Sequence, residues 1–405
     1  MSGALPPLHR AALKGRLAEV KALIQARVDV NAATTDGCTP LNMAAHEGHT
    51  AVVAALIQAS ADVNQTTTCR PTPLYVAAQN GHIAVVAALI QARAEVNAAK
   101  TNGCTPLLIA AENGHTAVVA ALIQARADVN AAATDGCTPL YMAAQEGHIA
   151  VVAALIQARV DVNAAKTNGC TPLLIAAENG HIAVVAALIQ ARAEVNAAKT
   201  DGCTPLLMAA KNGHTAVVAA LIQARADVNA AMTDGTTPLY MASQNGHTAV
   251  VATIIQARVD VNAARARGST PLFIATMNGH LDTALVLVEA GASLKVVVGG
   301  YRLRDVACRI EPWPGGTPEQ FMARLYAADR VLTRMFLLRA RGWLDGGEGG
   351  AVLLRANMRL CYGCKLPRPK DGEGATTCPR GCGDPAHRAP AADGRYRQMF
   401  HEIWY

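Results

Sequence analysis

The tripeptide Thr-Pro-Leu recurs every 33 residues, with its proline at Pro40, Pro73, Pro106, Pro139, Pro172, Pro205, Pro238 and Pro271. A constant period of this length means that one supersecondary unit has been copied, and that a single unit cannot bury its apolar face without neighbours. The core of such a chain lies between copies. Around each TPL the same frame returns, as in DGCTPLYMAAQEGH (135–148), IAVVAALIQA (149–158) and RVDVNAAKTNG (159–169). A degraded copy, LPPLHRAALKGRLAEVKALIQARVDVNA, occupies residues 5–32, and GYRLRDVA (300–307) reads as a last remnant.

Each part of the frame has a local reason. Thr138 is placed to cap a helix with its hydroxyl, and Pro139 supplies the φ of the first turn, where a missing N–H goes unnoticed. The helix runs through LYMAAQE and should stop at Gly147, which can turn left-handed. A second helix follows from 149, with Val151, Val152, Leu155 and Ile156 on one wide apolar face. The DVNAAKTNG run then crosses to the next unit as an extended hairpin with Asn-Gly turn chemistry. The expected fold class is an all-α repeat solenoid of helix-turn-helix units joined by β-hairpin loops, followed by a C-terminal helix and a small irregular Cys-rich segment.

TPL followed by an AA pair, xGH, an AVVAALI-like run and a DVNA ending resembles the ankyrin repeat family, over about residues 5–298. The resemblance implies protein binding through hairpin tips and the groove-facing side of the first helices. Carried onto this chain, it points to Thr101, Asn102, Glu112 and Asn113 in one unit. The next unit gives Thr134, Asp135, Tyr141, Gln145 and Glu146, and further on stand Thr200, Asp201, Lys211, Asn212 and Tyr240. The residue after TPL is usually His in the family; here it is Tyr75, Tyr141, Tyr240 or Phe273 in four units, open to a partner contact or to packing between units. The family also places Gly before the ADVN stretch. This chain instead has Arg27, Ser60, Arg93, Arg126, Arg159, Arg192, Arg225 and Arg258 there. A left-handed backbone at those positions would cost roughly 1 kcal/mol each. A long array can bear such a cost; the favoured reading of the column is a solvated ridge in which each Arg pairs with the acid two residues on, as Arg126 with Asp128, and the alternative is a binding role.

Three further columns run through the repeats. Histidines at 49, 82, 115, 148, 181, 214, 247 and 280 fall one per unit at a turn, which favours structural hydrogen bonding over a metal ladder. Cys38, Cys104, Cys137, Cys170 and Cys203 give way to Thr236 and Ser269, so the position asks for a small side chain and not for thiol chemistry. The asparagines of the VN pairs resemble the position that asparaginyl hydroxylases modify in some ankyrin proteins; by their own chemistry they stabilise turns.

Composition removes several function classes. Hydrophobic residues make up 51% of the 405, yet runs such as AVVAALI (117–123) are broken by Gln, Arg and Asp in every unit. A membrane span needs about 20 apolar residues in succession. MSGALPPLHRAALKGR has no apolar core of the kind a secretory signal requires, and free thiols spaced singly suit a reducing compartment, so the chain is expected to be intracellular. No Walker motif occurs, GGEGG (346–350) lacks the strand and helix of a phosphate loop, and the repeated positions offer no nucleophile with its base. The chain is therefore read as no enzyme.

The net charge of +6 belongs entirely to the residues after Lys295, where 17 Lys or Arg meet 11 Asp or Glu. This divides the chain into an array (1–298), a capping-helix region (299–345) and a Cys-rich tail (346–405). TPEQ (317–320) is a capping box, and Phe321, Leu325, Leu332 and Phe336 mark an amphipathic helix ending at Gly342. In the tail, Cys361 and Cys364 stand two apart and Cys378 and Cys382 three apart across a Pro/Gly-rich loop. Paired thiolates at this spacing suit a tetrahedral structural Zn site, with His387 as a substitute ligand. CYGC weakly resembles MYND and RING-type zinc modules, which carry more ligands. The sequence thus favours a non-enzymatic scaffold that binds a protein partner and uses its tail for a second one. The other reading makes the basic tail the effector of a ubiquitin-ligase-type adaptor or a nucleic-acid binder; repeat dominance weighs against it, and no membrane partner is expected.

Overall fold

The computed structural model describes residues 5–65, 71–266, 268–299, 301–303, 359–360 and 367–368. Among these residues are 18 helices, α1 to α18, in chain order from α1 (Pro7–Leu13) and α2 (Leu17–Gln25) to α17 (Pro271–Met277) and α18 (Leu281–Glu289). Each TPL opens a helix of seven or eight residues, and each xGH is followed by a helix of nine. The repeat portion is an all-α solenoid-type array. Past it, β1 (Val297–Val298) pairs antiparallel with β2 (Tyr301–Arg302), and β3 (Arg359–Leu360) with β4 (Pro367–Arg368).

The chain divides into two compact units, with the division falling inside α13 (Pro205–Asn212) after Ala209. In the first, the TPL helices α3 (Pro40–His46), α5 (Pro73–Gln79), α7 (Pro106–Glu112), α9 (Pro139–Glu146) and α11 (Pro172–Glu178) pack in series behind α1. The second helices α4 (Thr50–Gln58), α6 (Ile83–Gln91), α8 (Thr116–Gln124), α10 (Ile149–Gln157) and α12 (Ile182–Gln190) form a parallel series behind α2. In the other unit α15 (Pro238–Gln244) packs on α17, and α16 (Thr248–Gln256) on α18.

Local chemistry starts and stops these helices as the sequence requires. Thr105 Oγ1 accepts the Leu108 N–H at 3.2 Å, and Thr138 and Thr171 do the same one and two units on. Such a cap stabilises a helix by about 1 kcal/mol. α9 ends on Gly147 at φ +77°. The paired alanines, such as Ala143 and Ala144, are wholly buried, as are Val151, Val152 and Leu155. Their small size lets neighbouring TPL helices approach closely, and dispersion along that contact replaces the bulky core that 4% aromatic content could not build.

The loops between units differ from the extended hairpins expected. Lys100 N–H meets the Cys104 carbonyl at 2.9 Å and Gly103 N–H meets the Lys100 carbonyl at 2.8 Å, with no strand assigned among the described loop residues. Asn102 does not take positive φ; Gly103 alone does, at +80°. The loop is a tight turn closed by a left-handed glycine, because the Thr-Pro that opens the next helix leaves no length for a ladder. Turns are joined to each other instead. Thr134 N–H donates to the Asn102 carbonyl at 2.9 Å, and Thr167 N–H to that of Asp135 at 3.2 Å.

Candidate functional site

The expected binding residues separate into exposed and buried groups. Thr101, Asn102, Asn113, Thr134, Asp135, Glu146, Thr200, Asp201, Lys211 and Asn212 are exposed, and Glu112 and Gln145 are partly so. The tight turns bring the Thr and Asx residues to the loop tips, and the end of each TPL helix presents the Glu, Lys or Asn. Several are already held. Asp135 Oδ1 accepts the Cys137 N–H at 3.1 Å, Asn113 Nδ2 donates to the Ile109 carbonyl at 3.0 Å, and Gln145 Nε2 donates to Glu146 Oε1 at 2.9 Å. Rigid tips of this kind lose little entropy when a partner docks.

Tyr141 and Tyr240 do not belong to that surface. They are 5% and 3% exposed, and each is sealed by the following unit. Tyr141 O–H donates to Cys170 Sγ at 3.6 Å, while Lys166 Nζ lies 5.2 Å from the ring centroid and 2.9 Å from Asp135 Oδ2. Tyr240 repeats the arrangement with Ser269 Oγ at 3.2 Å, Arg265 over its ring at 5.7 Å, and an Arg265–Asp234 ion pair. Tyr75 has Cys104 at 3.4 Å and Lys100 at 5.4 Å. The phenol packs between units because its ring buries area while its hydroxyl still finds an acceptor. Sequence reasoning missed the interlock, although its signal was present: a cation 25 residues after each of these tyrosines and a small polar side chain 29 residues after.

Electrostatics follow the geometry. The hydrogen bond from Lys166, then the Cys137 N–H, holds the Asp135 carboxyl down at about 2. Burial pushes the Cys104, Cys137 and Cys170 thiols up, so these are protonated packing groups. Ser269 takes the same contact as Cys170, which explains why the column tolerates both.

The histidine column is a set of links between units. His115, His148 and His181 each donate Nε2–H to a carbonyl of the preceding unit, at Gln79, Glu112 and Gln145, all at 2.9 Å. Carbonyl oxygens only accept, so this nitrogen carries the proton. The VN asparagines also cross between units: Asn97 Oδ1 accepts Asp128 N–H and Asn130 Oδ1 accepts Asp161 N–H, both at 2.9 Å.

The Arg column has the left-handed backbone the sequence suggested, with φ between +58° and +66° at all eight positions. The expected pairing of Arg126 with Asp128 is absent among the described residues. Asp128 Oδ1 instead accepts the Asn130 N–H at 2.9 Å, because the turn needs that carboxylate as its cap.

Cys361, Cys364, Cys378, Cys382 and His387, and the capping helix expected at 317–342, lie outside the described residues. No described helix is long and apolar enough to cross a membrane.

Stacked helix-turn-helix units with capped TPL helices and linked turns define an array of the protein-interaction class. A family model, Ankyrin repeats (3 copies), matches at residues 8–100, 74–166, 127–199, 158–232, 192–265 and 225–297. The chain belongs to the ankyrin repeat family. No match to a curated protein was found.

Proposed function

We propose that the chain is a non-enzymatic scaffold that captures a protein partner on its turn tips and TPL-helix ends. The observation that carries this is the exposure, in consecutive units, of Asn102, Asn113, Asp135 and Glu146, while the helix flanks between units are spent on stacking. These side chains stand outside the core at the repeat spacing, with Asn102, Asn113 and Asp135 held in place by local hydrogen bonds, so they can supply a specific polar contact. The test is affinity capture by the full chain against a Glu146→Lys, Asp201→Lys variant of unchanged stability. Proteins lost from the variant but not from the parent are the expected partners; identical captures would refute the surface.

The tail is proposed to hold one Zn through Cys361, Cys364, Cys378 and Cys382, with His387 in reserve, and to present a second recruitment site. Four thiolates in two close pairs could close a tetrahedral shell in a segment too polar to fold by burial. The antiparallel pairing of Arg359–Leu360 with Pro367–Arg368, on either side of the CYGC run, supports this reading. Elemental analysis of the full chain should find one Zn per chain, removed by Cys361→Ser with Cys364→Ser. Equal metal in both proteins, or no metal in the parent, would end it.

A further inference from the structure

In the first unit, Arg93, Arg126, Arg159 and Arg192 stand 33 residues apart, each exposed and each at φ +61° to +64°. Among the described residues none of their guanidinium groups has a hydrogen-bond or ion-pair partner. Two residues after each lies an exposed carboxylate: Glu95, Asp128, Asp161 and Glu194. The ridge therefore carries two parallel columns of opposite sign at one period. The cationic column sits at backbone positions where glycine would be less strained.

The pairing of columns decides the chemistry of a partner. A polyanion is disfavoured, because the carboxylate beside each Arg cancels the field beyond a Debye length. A surface that matches must alternate sign across the ridge and repeat at the same spacing. The same ridge of a second copy meets both conditions. Isologous contacts are self-complementary by symmetry. A twofold axis running along the columns lays each Arg column over the other copy's carboxylates; an axis across the columns would set Arg on Arg.

We propose that this ridge is a self-association surface, through which two copies pair side by side in the same direction by reciprocal Arg-carboxylate contacts. Arg suits this better than Lys, since its planar fork can grip Glu95 and Glu194 with two bonds and can reach the oxygen that the turn caps leave open on Asp128 and Asp161. Each exposed pair is weak and screened, so the association is reversible and depends on several units acting together. It uses a different surface from the proposed partner site and stands or falls separately.

Sedimentation velocity of the full chain over a concentration series, at 50 mM and at 500 mM salt, tests the proposal. The parent should show a dimer that weakens at least tenfold at the higher salt. The variant Arg93→Glu, Arg126→Glu, Arg159→Glu, Arg192→Glu should be monomeric with a native circular dichroism spectrum. Mixing it with Glu95→Arg, Asp128→Arg, Asp161→Arg, Glu194→Arg, itself monomeric, should restore a heterodimer, which keeps the test decisive if either variant is destabilised. A parent that is monomeric throughout, a dimer indifferent to the Arg reversals, or a mixture that stays monomeric would overturn it.

Discussion

Asn130 Oδ1 accepts the backbone N–H of Asp161, 31 residues further along in the next repeat, at 2.9 Å. The Asp161 carboxylate in turn accepts the Asn163 N–H at 2.9 Å, and Asn163 Oδ1 accepts the Glu194 N–H at 2.9 Å. The VN column is thus a relay in which each unit fixes the turn of the next. Loss of one amide acceptor leaves an N–H without its partner. Asn130→Ala should lower stability by about 1 kcal/mol, read as a fall in the urea midpoint. Asn130→Asp keeps an acceptor oxygen and should recover most of that; equal losses in both variants would show that the hydrogen bond is not what matters.

Gly147 and His181 form a second coupled pair. A Cβ on Gly147 would come within 2.7 Å of His181 Nδ1, and the glycine sits at φ +77°. Gly147→Ala should therefore cost more than the roughly 1 kcal/mol of left-handed strain alone. Adding His181→Ala removes the clash, so the double variant should lose less than the sum of the two single losses. Strict additivity in thermal unfolding would contradict the contact.

The Arg column offers a test of opposite sign. Arg126→Gly and Arg159→Gly relieve left-handed strain of about 1 kcal/mol each, less the entropy glycine adds to the unfolded chain. The expected result is a raised unfolding midpoint, measured below the concentration range of any self-association so that only the monomer is compared. A lowered midpoint would show that the arginine stems stabilise the unit through contacts that outweigh the backbone.

His9, in the first unit, gives a pH dependence. Its ring is buried, Nε2 donates to the Cys38 carbonyl at 3.1 Å, and Nδ1 has no hydrogen-bond partner among the described residues. Burial lowers its pKa from the usual value near 6.5. With the folded value below the unfolded one, the unfolded chain binds the extra proton. The stabilisation is full above about pH 6.5 and is lost as pH falls toward the folded value. Amide protection in α1 and α2, taken relative to the intrinsic exchange rate at each pH, should fall across that window in the parent and change less in His9→Gln. The same acid sensitivity in both proteins would move the cause elsewhere.

The two helices per unit, the threonine caps and the glycine stop were legible in the sequence because they depend on contacts a few residues apart. The role of histidine as a hydrogen-bonding group was legible from its place at one turn per unit, although the carbonyl each ring meets lies 36 residues back. What escaped was the partner of each column. Tyr141 could equally have faced a partner, since its burial depends on Cys170 and Lys166, which lie 29 and 25 residues further along the chain. The Asn102-Gly103 pair suggested an extended hairpin because the sequence shows the helix start at Pro106 but not that the turn before it already closes between Lys100 and Cys104. The Asp128 carboxylate looked free for Arg126 until the Asn130 N–H was seen to take it.

The central claim is that binding resides on the turn tips and TPL-helix ends. With a partner captured by the full chain, calorimetric titration should compare Glu146→Lys and Lys211→Glu with Gln124→Arg and Gln190→Arg, which lie at the C-terminal ends of α8 and α12. All four positions are exposed, so stability should change little. The account predicts that at least one of the first two weakens binding tenfold or more while the glutamine variants stay within twofold of the parent; stronger losses from Gln124→Arg or Gln190→Arg would contradict it.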